Sequence, residues 1–283
     1  MKGDLKSILR NSLNADELDL VIKSYDIIGD LGVIQIPEAL SEHKRTIAEA
    51  VMQQHKHVKA VWRQSSPIRG PHRVRNLEWV GGEKLSQTVH RENGYTLKVD
   101  VQKCYFSPRL GAERMRIAGL VGDSEYVVNM FAGVGSYSIA IGKYSGAHKT
   151  VSIDINPVAV YYMKENILLN RLVGRIAPIC GDARTTIADQ LRNSVDRVLM
   201  PLPHEAFKYL DSAVAALRSP AGWIHYYEFA HARKNEDPVN AVKRKIVDCL
   251  EDFPVKVVEV NGRIVRQTGP NWYHIALDIH LEI

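Results

Sequence analysis

The sequence predicts an α/β fold with a Rossmann-like parallel sheet in its C-terminal part and a smaller α+β unit before it. From about residue 112 onward, short apolar runs alternate with longer helical patterns, the order that produces a parallel sheet flanked by helices. Before that point, short strand patterns surround one helical segment and a turn that contains Asn93-Gly94. We therefore expect two domains, residues 1–103 and residues 104–283.

The smaller domain is predicted from short, separate patterns. Residues 1–20 and 38–55 have the periodicity of helices. Strands are expected over residues 25–36, in two segments hinged between Gly29 and Gly32, and at residues 58–62, 88–90 and 95–100. In the larger domain, residues 222–229 predict a buried strand, and residues 255–260 and 273–281 predict a closing hairpin.

Three strand ends of the larger domain predict a cofactor site. An apolar run from Tyr126 ends in a turn with Gly133 and Gly135, and the next apolar run ends at Asp154. Glycines let the backbone approach a ligand closely, and an acid at the second strand end can accept both hydroxyls of a ribose. Asp182 follows a third apolar run, where an adenine would be contacted. For the glycine motif alone, an ordinary turn without a ligand is the open alternative.

The glycine pattern also indicates which cofactor binds. It is a G-x-G and not the longer G-x-G-x-x-G/A of dinucleotide sites, because Ser138 stands at the third position. Since no helix-start glycine is present for a pyrophosphate, S-adenosylmethionine fits better than NAD.

Composition restricts the class of protein. The 283 residues are 45% hydrophobic and 24% charged, which is typical of a globular protein. No apolar run approaches membrane-spanning length, and no apolar stretch follows Met1 as in a signal peptide. The three cysteines are widely spaced and lack metal-ligand spacing, as expected of reduced thiols. We expect a cytoplasmic monomer without a metal site or membrane contact.

The basic charge is concentrated in one segment. The formal net charge is only +5, but residues 56–75 contain six Lys or Arg residues and no acid. This pattern favours a surface for the phosphate backbone of a nucleic acid. A solvated basic loop is the alternative.

Five segments together resemble the archaeal and eukaryotic tRNA (guanine-37 N1)-methyltransferase family. They are residues 73–78, 90–95, 105–114, 129–135 and 154–157. The resemblance covers nearly the whole chain from residue 4 and implies a class I methyltransferase domain that uses S-adenosylmethionine, preceded by a small RNA-binding domain. It implies the tRNA anticodon stem-loop as the partner. Many members carry a further N-terminal domain, and we expect this chain to be a short form without it, either naturally or by truncation.

The resemblance also assigns catalytic roles. Arg73 matches an arginine that contacts the target guanine, and Glu113 matches a carboxylate proposed to take the N1 proton. Guanine N1 cannot attack a sulfonium methyl until it loses that proton, so a positioned carboxylate is needed, and an arginine can stabilise the charge that develops on O6. The alternatives are a phosphate contact for Arg73 and, for Glu113, a helix-surface ion pair with Arg109 or Arg116. The cofactor-contacting positions implied by the resemblance, together with Gly133 and Gly135, are Arg114, Phe131, Asp154, Ile155, Asp182 and Ala183.

Pro201 departs from the family pattern. It occupies the place of an asparagine in an Asn-Leu-Pro segment at the end of the fourth strand, where that asparagine contributes to the pocket. Proline has no side-chain amide and no N–H, so only its carbonyl could accept a hydrogen bond there. His204, close by, is expected to be a surface residue at a helix start.

The altered Pro201 position leaves other activities open. One is transfer of the aminocarboxypropyl group of the same cofactor in the wybutosine pathway, since that subfamily also lacks the asparagine. Another is methylation of a tricyclic guanosine derivative at the same tRNA position. The third is tRNA binding without turnover.

Overall fold

The computed structural model describes residues 4–66, 70, 72 and 74–283. The chain divides into two compact units, residues 1–112 and residues 113–283. The predicted domain boundary, between residues 103 and 104, lies shortly before this division. Across the described ranges, no helix is long and apolar enough to cross a membrane.

The helices of the first unit are shorter than predicted. They are α1 (Leu5–Leu9), α2 (Ala15–Leu20) and α3 (Lys44–Gln54). The single helix predicted over residues 1–20 is wrong because Asn14 starts a second one: its side chain accepts from the Glu17 N–H, and the Glu17 side chain accepts from the Asn14 N–H. The helix predicted from residue 38 also begins late, since a 3₁₀ helix over Glu38–His43 precedes α3.

Within the described residues of the first unit, six strands form two sheets. They are β1 (Asp26–Ile28), β2 (Leu31–Ile34), β3 (Ala60–Gln64), β4 (Leu77–Gly82), β5 (Gln87–Glu92) and β6 (Tyr95–Asp100). The first four form one sheet in the order β1-β2-β3-β4, and β5 and β6 form a hairpin. The predicted turns are confirmed, because Gly29 has φ +57° and Asn93 and Gly94 also have positive φ. Strand β4 was missed by the sequence patterns.

The second unit contains a seven-stranded sheet with helices. The strands are β7 (Tyr126–Asn129), β8 (Lys149–Asp154), β9 (Ile176–Cys180), β10 (Arg197–Met200), β11 (Ala221–His231), β12 (Lys256–Gly269) and β13 (Trp272–Glu282). The helices are α4 (Gly111–Leu120, which begins at the end of the first unit), α5 (Ser136–Tyr144), α6 (Pro157–Leu169), α7 (Ala183–Thr186), α8 (Leu210–Ala216) and α9 (Pro238–Leu250).

The strand order places a crevice at a defined point of this sheet. The order is β12-β13-β11-β10-β7-β8-β9, with β7 to β11 parallel and β12 and β13 antiparallel. The predicted α/β fold and its closing hairpin are therefore confirmed. From β7 the chain builds outward first through β8 and β9 and then through β10, so the direction reverses between β7 and β10. Open α/β sheets bind ligands outside the carboxyl ends of the strands at such a switch point.

Candidate cofactor and catalytic site

Asp154 ties two predicted cofactor segments together at the end of β8. Its Oδ2 accepts a hydrogen bond from the Gly133 N–H at 2.6 Å, and its Oδ1 accepts one from the Asn156 N–H at 2.9 Å. The Asn156 side chain in turn caps α6 by accepting from the Val158 N–H at 3.0 Å. One carboxylate therefore fixes the glycine turn and the start of the following helix.

The glycine turn requires glycine at both of its predicted positions. Gly133 and Gly135 have φ of +56° and +86°, a region that other residues rarely adopt. A Cβ at Gly135 would also lie 2.9 Å from Cγ of Met163. Beneath the turn, Oδ1 of Asn129 is buried and has no hydrogen-bond partner among the residues that the structure describes. Such an orphaned acceptor at a strand end fits a polar ligand or a water molecule.

Asp182 lies after β9 and contacts Tyr209, which also packs against Phe131. Its Oδ1 caps α7 by accepting from the Arg184 N–H at 2.9 Å, and its Oδ2 accepts from the Tyr209 hydroxyl at 3.2 Å. The Tyr209 ring meets the Phe131 ring edge to face at 5.0 Å. Burial, followed by the charge of Asp182, raises the pKa of Tyr209. Tyr209 is a site residue that the sequence reasoning missed, because it comes from a distant 3₁₀ helix.

The other predicted cofactor residues differ in exposure, and therefore in which of their groups a cofactor could contact. Ile155 is 43% exposed and presents an apolar face directly after Asp154. Ala183 is buried in the hydrophobic core, so its contact with a cofactor would have to come from its backbone. Arg114 is fully buried on α4. An exposed apolar face beside two strand-end carboxylates and a glycine turn fits an adenosyl group.

Pro201 is the middle residue of a tight turn after β10. The Leu202 N–H donates to the Met200 carbonyl at 2.8 Å, a bond that spans three residues as in a γ-turn. An inverse γ-turn needs a central φ near −75°, which proline already favours. The proline therefore suits the turn in which it lies. His204, which follows, is exposed as predicted and contacts the Phe229 ring at 4.8 Å.

Glu113 is buried and hydrogen-bonded. Arg116 donates to both of its carboxylate oxygens, at 2.9 Å from Nε and 2.7 Å from Nη2. The Tyr227 hydroxyl donates to Oε1 at 2.8 Å. The ion pair with Arg116 that we considered as an alternative does form, but Glu113 is only 4% exposed and not a surface acid. Arg109 pairs instead with Asp26.

Not every basic residue of the predicted phosphate-binding segment, residues 56–75, can be assigned to such a surface. Arg73 lies outside the described residues, so its predicted contact with guanine stays a prediction. Arg63 is buried and paired with Glu38 at 2.6 Å and Glu78 at 3.3 Å, which removes it from any phosphate surface. An open groove of about 620 Å³ in the first unit is lined on its polar side by His57, His90 and Arg91, among others. Among the residues described, no His, Cys, Asp or Glu cluster could hold a metal ion.

Two family models match the chain. Residues 88–256 match the TRM5/TYW2 methyltransferase domain, and residues 5–85 match the TYW2 N-terminal domain. The chain is 40% identical to the tRNA (guanine(37)-N(1))-methyltransferase Trm5b of Pyrococcus abyssi, over 91% of this chain and 74% of that protein. It is 33% identical to the tRNA 4-demethylwyosine(37)-methyltransferase Taw21 of Saccharolobus solfataricus, over 91% and 93% of the two chains. A tRNA(Phe) (4-demethylwyosine(37)-C(7)) aminocarboxypropyltransferase of Methanocaldococcus jannaschii is 32% identical, over 91% and 98%.

Solved structures agree with this grouping. The crystal structure of Trm5b from Pyrococcus abyssi superposes with a TM-score of 0.85 at 39% identity, over 98% of this chain and 81% of that one. The structure of aTrm5 in complex with tRNALeu gives 0.83 at 36% identity, over 99% and 78%. Trm5 of Methanocaldococcus jannaschii in complex with adenosine gives 0.79 at 36% identity, over 97% and 77%.

Proposed function

Because the chain belongs to the TRM5/TYW2 methyltransferase family, we propose that it transfers the methyl group of S-adenosylmethionine to N1 of guanosine 37 in tRNA. The observation that carries this choice is the 40% identity to Trm5b over 91% of the chain. The buried Glu113 carboxylate supports it, because methyl transfer to N1 needs a base.

The cofactor residues have separate tasks in this proposal. Bound S-adenosylmethionine supplies an electrophilic methyl group on a sulfonium. Asp154 accepts hydrogen bonds from the ribose hydroxyls while it holds the Gly133 turn in place. Ile155 contacts one face of the adenine, and Asp182 and Tyr209 contact the edge of the adenine ring. The complex of a similar Trm5 with adenosine supports an adenosyl group at this sheet edge.

Glu113 is the proposed proton acceptor. Its carboxylate would accept the guanine N1 proton and so free the N1 lone pair for the methyl group, which bound S-adenosylmethionine would supply from its sulfonium and thereby become a neutral thioether. Tyr227 and Arg116 hold the carboxylate from two directions, so its orientation does not depend on solvent. Arg73 is proposed to stabilise the charge that develops on guanine O6.

The turn at Pro201 favours a second candidate substrate. The Met200–Leu202 bond suits proline, so the strand end is adapted to a residue without a side-chain amide. An adapted turn would fit a tricyclic guanosine derivative better than plain guanine, with either methyl or aminocarboxypropyl transfer. Taw21 and the aminocarboxypropyltransferase, the relatives named for these two reactions, are 33% and 32% identical to this chain.

The proposed partner is the anticodon stem-loop of tRNA. A structure of the similar protein aTrm5 in complex with tRNALeu is known, and the groove lined by His57, His90 and Arg91 offers donors for phosphate oxygens. We further propose that the protein acts as a monomer and in the cytoplasm.

A transfer assay with doubly labelled cofactor tests the function. The full chain is incubated with S-adenosylmethionine labelled in both the methyl and the aminocarboxypropyl groups, in one reaction with an unmodified tRNA transcript that has guanosine 37 and in a second with tRNA that carries 4-demethylwyosine at that position. We expect methyl label in the RNA and N1-methylguanosine on digestion. A transcript with adenosine 37 is the matched control and should take no label.

Three other results of this assay would contradict the proposal. Aminocarboxypropyl label in the RNA would identify the other transfer. Methyl label only on tRNA that already carries 4-demethylwyosine would identify the tricyclic substrate. No label on either RNA, with tRNA still bound, would indicate a binding protein.

A further inference from the structure

A continuous line of buried and partly buried hydrogen bonds runs from Glu113 across the sheet. Beyond Glu113, Arg116 also donates to both oxygens of Asp278 on β13, at 2.5 and 3.1 Å. Asp278 contacts Nδ1 of His225 on β11 at 2.5 Å, and Nε2 of His225 contacts Nη1 of Arg197 on β10 at 2.7 Å. Arg197 ends the line with two bonds to Glu125, at 2.6 and 2.9 Å. We name these six residues the Glu113 network.

The chemistry of the partners fixes the proton on His225. An arginine can only donate, so Nε2 of His225 must be the acceptor toward Arg197. An ionised carboxylate can only accept, so Nδ1 must carry the proton and donate to Asp278. A second proton on Nε2 would point at a guanidinium N–H. In agreement, burial lowers the pKa of His225, although the hydrogen bond to Asp278 opposes this.

The neutral His225 leaves the network with an excess of negative charge. Its carboxylates are Glu113, Asp278 and Glu125, and its guanidiniums are Arg116 and Arg197, so three negative charges face two positive ones within these six residues; outside them, the half-exposed Arg263 lies 3.8 Å from Glu113. One proton taken up by Glu113 would balance the network.

We propose that Tyr227, Arg116 and Asp278 are positioning residues for Glu113, which hold its carboxylate in one orientation and leave it as the group that takes up the balancing proton. This inference rests on the proposed function of Glu113 as the base. Arg116 cannot rotate away from Glu113 without also breaking its two bonds to Asp278. Asp278 is itself held by His225, whose proton is fixed as described.

Three elements bring charged or titratable groups to Glu113 within the described part of the chain. Arg116 comes from its own helix, Tyr227 from β11 and Arg263 from β12, with Nη1 of Arg263 3.8 Å from Oε2. The Arg263 side chain is half exposed, so solvent screens its charge more than that of Arg116. Burial raises the pKa of Tyr227 well above 10, so Tyr227 stays a neutral donor at every pH of interest.

The test compares three variants of the full chain with the parent in single-turnover methyl transfer over pH 5 to 9. Tyr227→Phe removes one hydroxyl and keeps the ring that packs on Tyr137 and His274. Asp278→Asn removes the charge that holds Arg116. The matched control, Asp196→Asn, weakens a different two-bond pair, with Arg218 at 2.6 and 2.8 Å, in the same unit.

We expect Tyr227→Phe to lower the saturated rate about tenfold, since a hydrogen bond to a charged group is lost. The acid limb of its pH profile should move to higher pH, with unchanged affinity for cofactor and tRNA. Asp278→Asn should also lower the rate and alter the profile, while Asp196→Asn should leave both as in the parent even if it lowers the Tm.

The outcomes separate this inference from the function on which it rests. A parent protein that transfers no methyl group to the guanosine-37 transcript overturns the proposed function, and the role of Glu113 with it. An active parent whose Tyr227→Phe variant keeps the parent rate and pH profile overturns the positioning role alone. If Asp278→Asn does not fold, Tyr227→Phe still decides the question.

Discussion

The two sides of the switch point hold their acidic residues in different ways. On the cofactor side, at the ends of β7, β8 and β9, Asp154 and Asp182 accept mainly from backbone N–H groups, several of them two or three residues away. On the network side, formed by α4, β10, β11 and β13, Glu113 and Asp278 accept from side chains. The Tyr227 donor to Glu113 lies 114 residues away in the sequence and the Arg116 donor to Asp278 lies 162 residues away, while the Arg116 donor to Glu113 is three residues away. Local turns build most of the first side, and contacts between distant parts of the chain build most of the second.

This difference separates two functions physically. The cofactor-side acids are partly exposed at strand ends, where a ligand can share their oxygens. The network-side acids are buried and compensated by arginines, and the hydrogen bonds from His225 and Arg116 outweigh burial and lower the pKa of Asp278 to about 2. We therefore expect changes on the cofactor side to alter affinity and changes on the network side to alter the rate.

Glu113→Gln should produce the largest effect on the rate. Glutamine keeps the shape and one acceptor but cannot take a proton, so methyl transfer should fall by about a hundredfold or more. The measurement is single-turnover transfer at saturating cofactor and tRNA. A rate within a few-fold of the parent would remove Glu113 from the role of base.

Asp154→Ala should weaken S-adenosylmethionine binding by about ten- to a hundredfold. The variant loses a charged acceptor for the ribose and the bond that holds the Gly133 turn, and such bonds contribute about 1.5–3 kcal/mol. Calorimetry on the protein without RNA measures this, with the exposed Asp189→Ala as the control for loss of an acidic charge. Equal affinities of parent and Asp154→Ala would show that the β8 end does not bind the cofactor.

Pro201→Asn should raise the rate on a guanosine-37 transcript by about five- to a hundredfold, because it restores an amide worth about 1–3 kcal/mol in the transition state. Leu202 and Pro203 are retained, so the turn can keep its geometry. Single-turnover transfer by parent and variant decides between two substrates. A slower variant with unaltered cofactor affinity would indicate that the turn is adapted to proline and to a larger base.

His274→Phe should have the smallest effect on catalysis and a measurable one on stability. Burial, with contributions from Arg266 and His204, lowers the pKa of His274 from 6.5 to about 4. His274 therefore binds a proton more readily in the unfolded chain than in the folded one. The stability that neutral His274 contributes is fully present above pH 6.5 and is lost as the pH falls toward 4. A shift of this size corresponds to about 3 kcal/mol.

Urea unfolding at pH 7 and pH 4 measures that loss. The parent should lose about 3 kcal/mol more than His274→Phe between the two pH values. Equal losses would show that His274 is protonated in the folded protein as readily as in the unfolded one.

The same contrast explains what could be predicted from the sequence. Gly133, Gly135 and Asp154 follow one another within a short segment, and their local spacing indicated the strand-turn-helix that the structure contains. Tyr209, Tyr227 and Asp278 were missed, since nothing near them in sequence marks a partner. One usable signal existed: His274, Asp278 and His280 are polar residues in a strand that otherwise consists mainly of apolar residues, and their even spacing places them on one face.

Short elements show the same limit on prediction. The break between α1 and α2 depends on the Asn14 and Glu17 capping pair, which the helical periodicity of residues 1–20 concealed. Strand β4 lies beside the basic segment, where charge was more conspicuous than the alternation of apolar residues. Local hydrogen bonds decide such boundaries, and periodicity does not report them.

The most direct measurement of the central claim is a paired one on Asp154→Ala and Glu113→Gln. Cofactor Kd by calorimetry and the saturated single-turnover rate are determined for both variants and the parent. The separation of the two sides predicts that Asp154→Ala raises Kd about ten- to a hundredfold and keeps the saturated rate within a few-fold, while Glu113→Gln lowers the rate at least about a hundredfold with an unchanged Kd. If each variant changed both quantities to a similar extent, the two sides of the switch point would act as one site. The assignment of cofactor affinity to one side and of the transfer rate to the other would then be wrong.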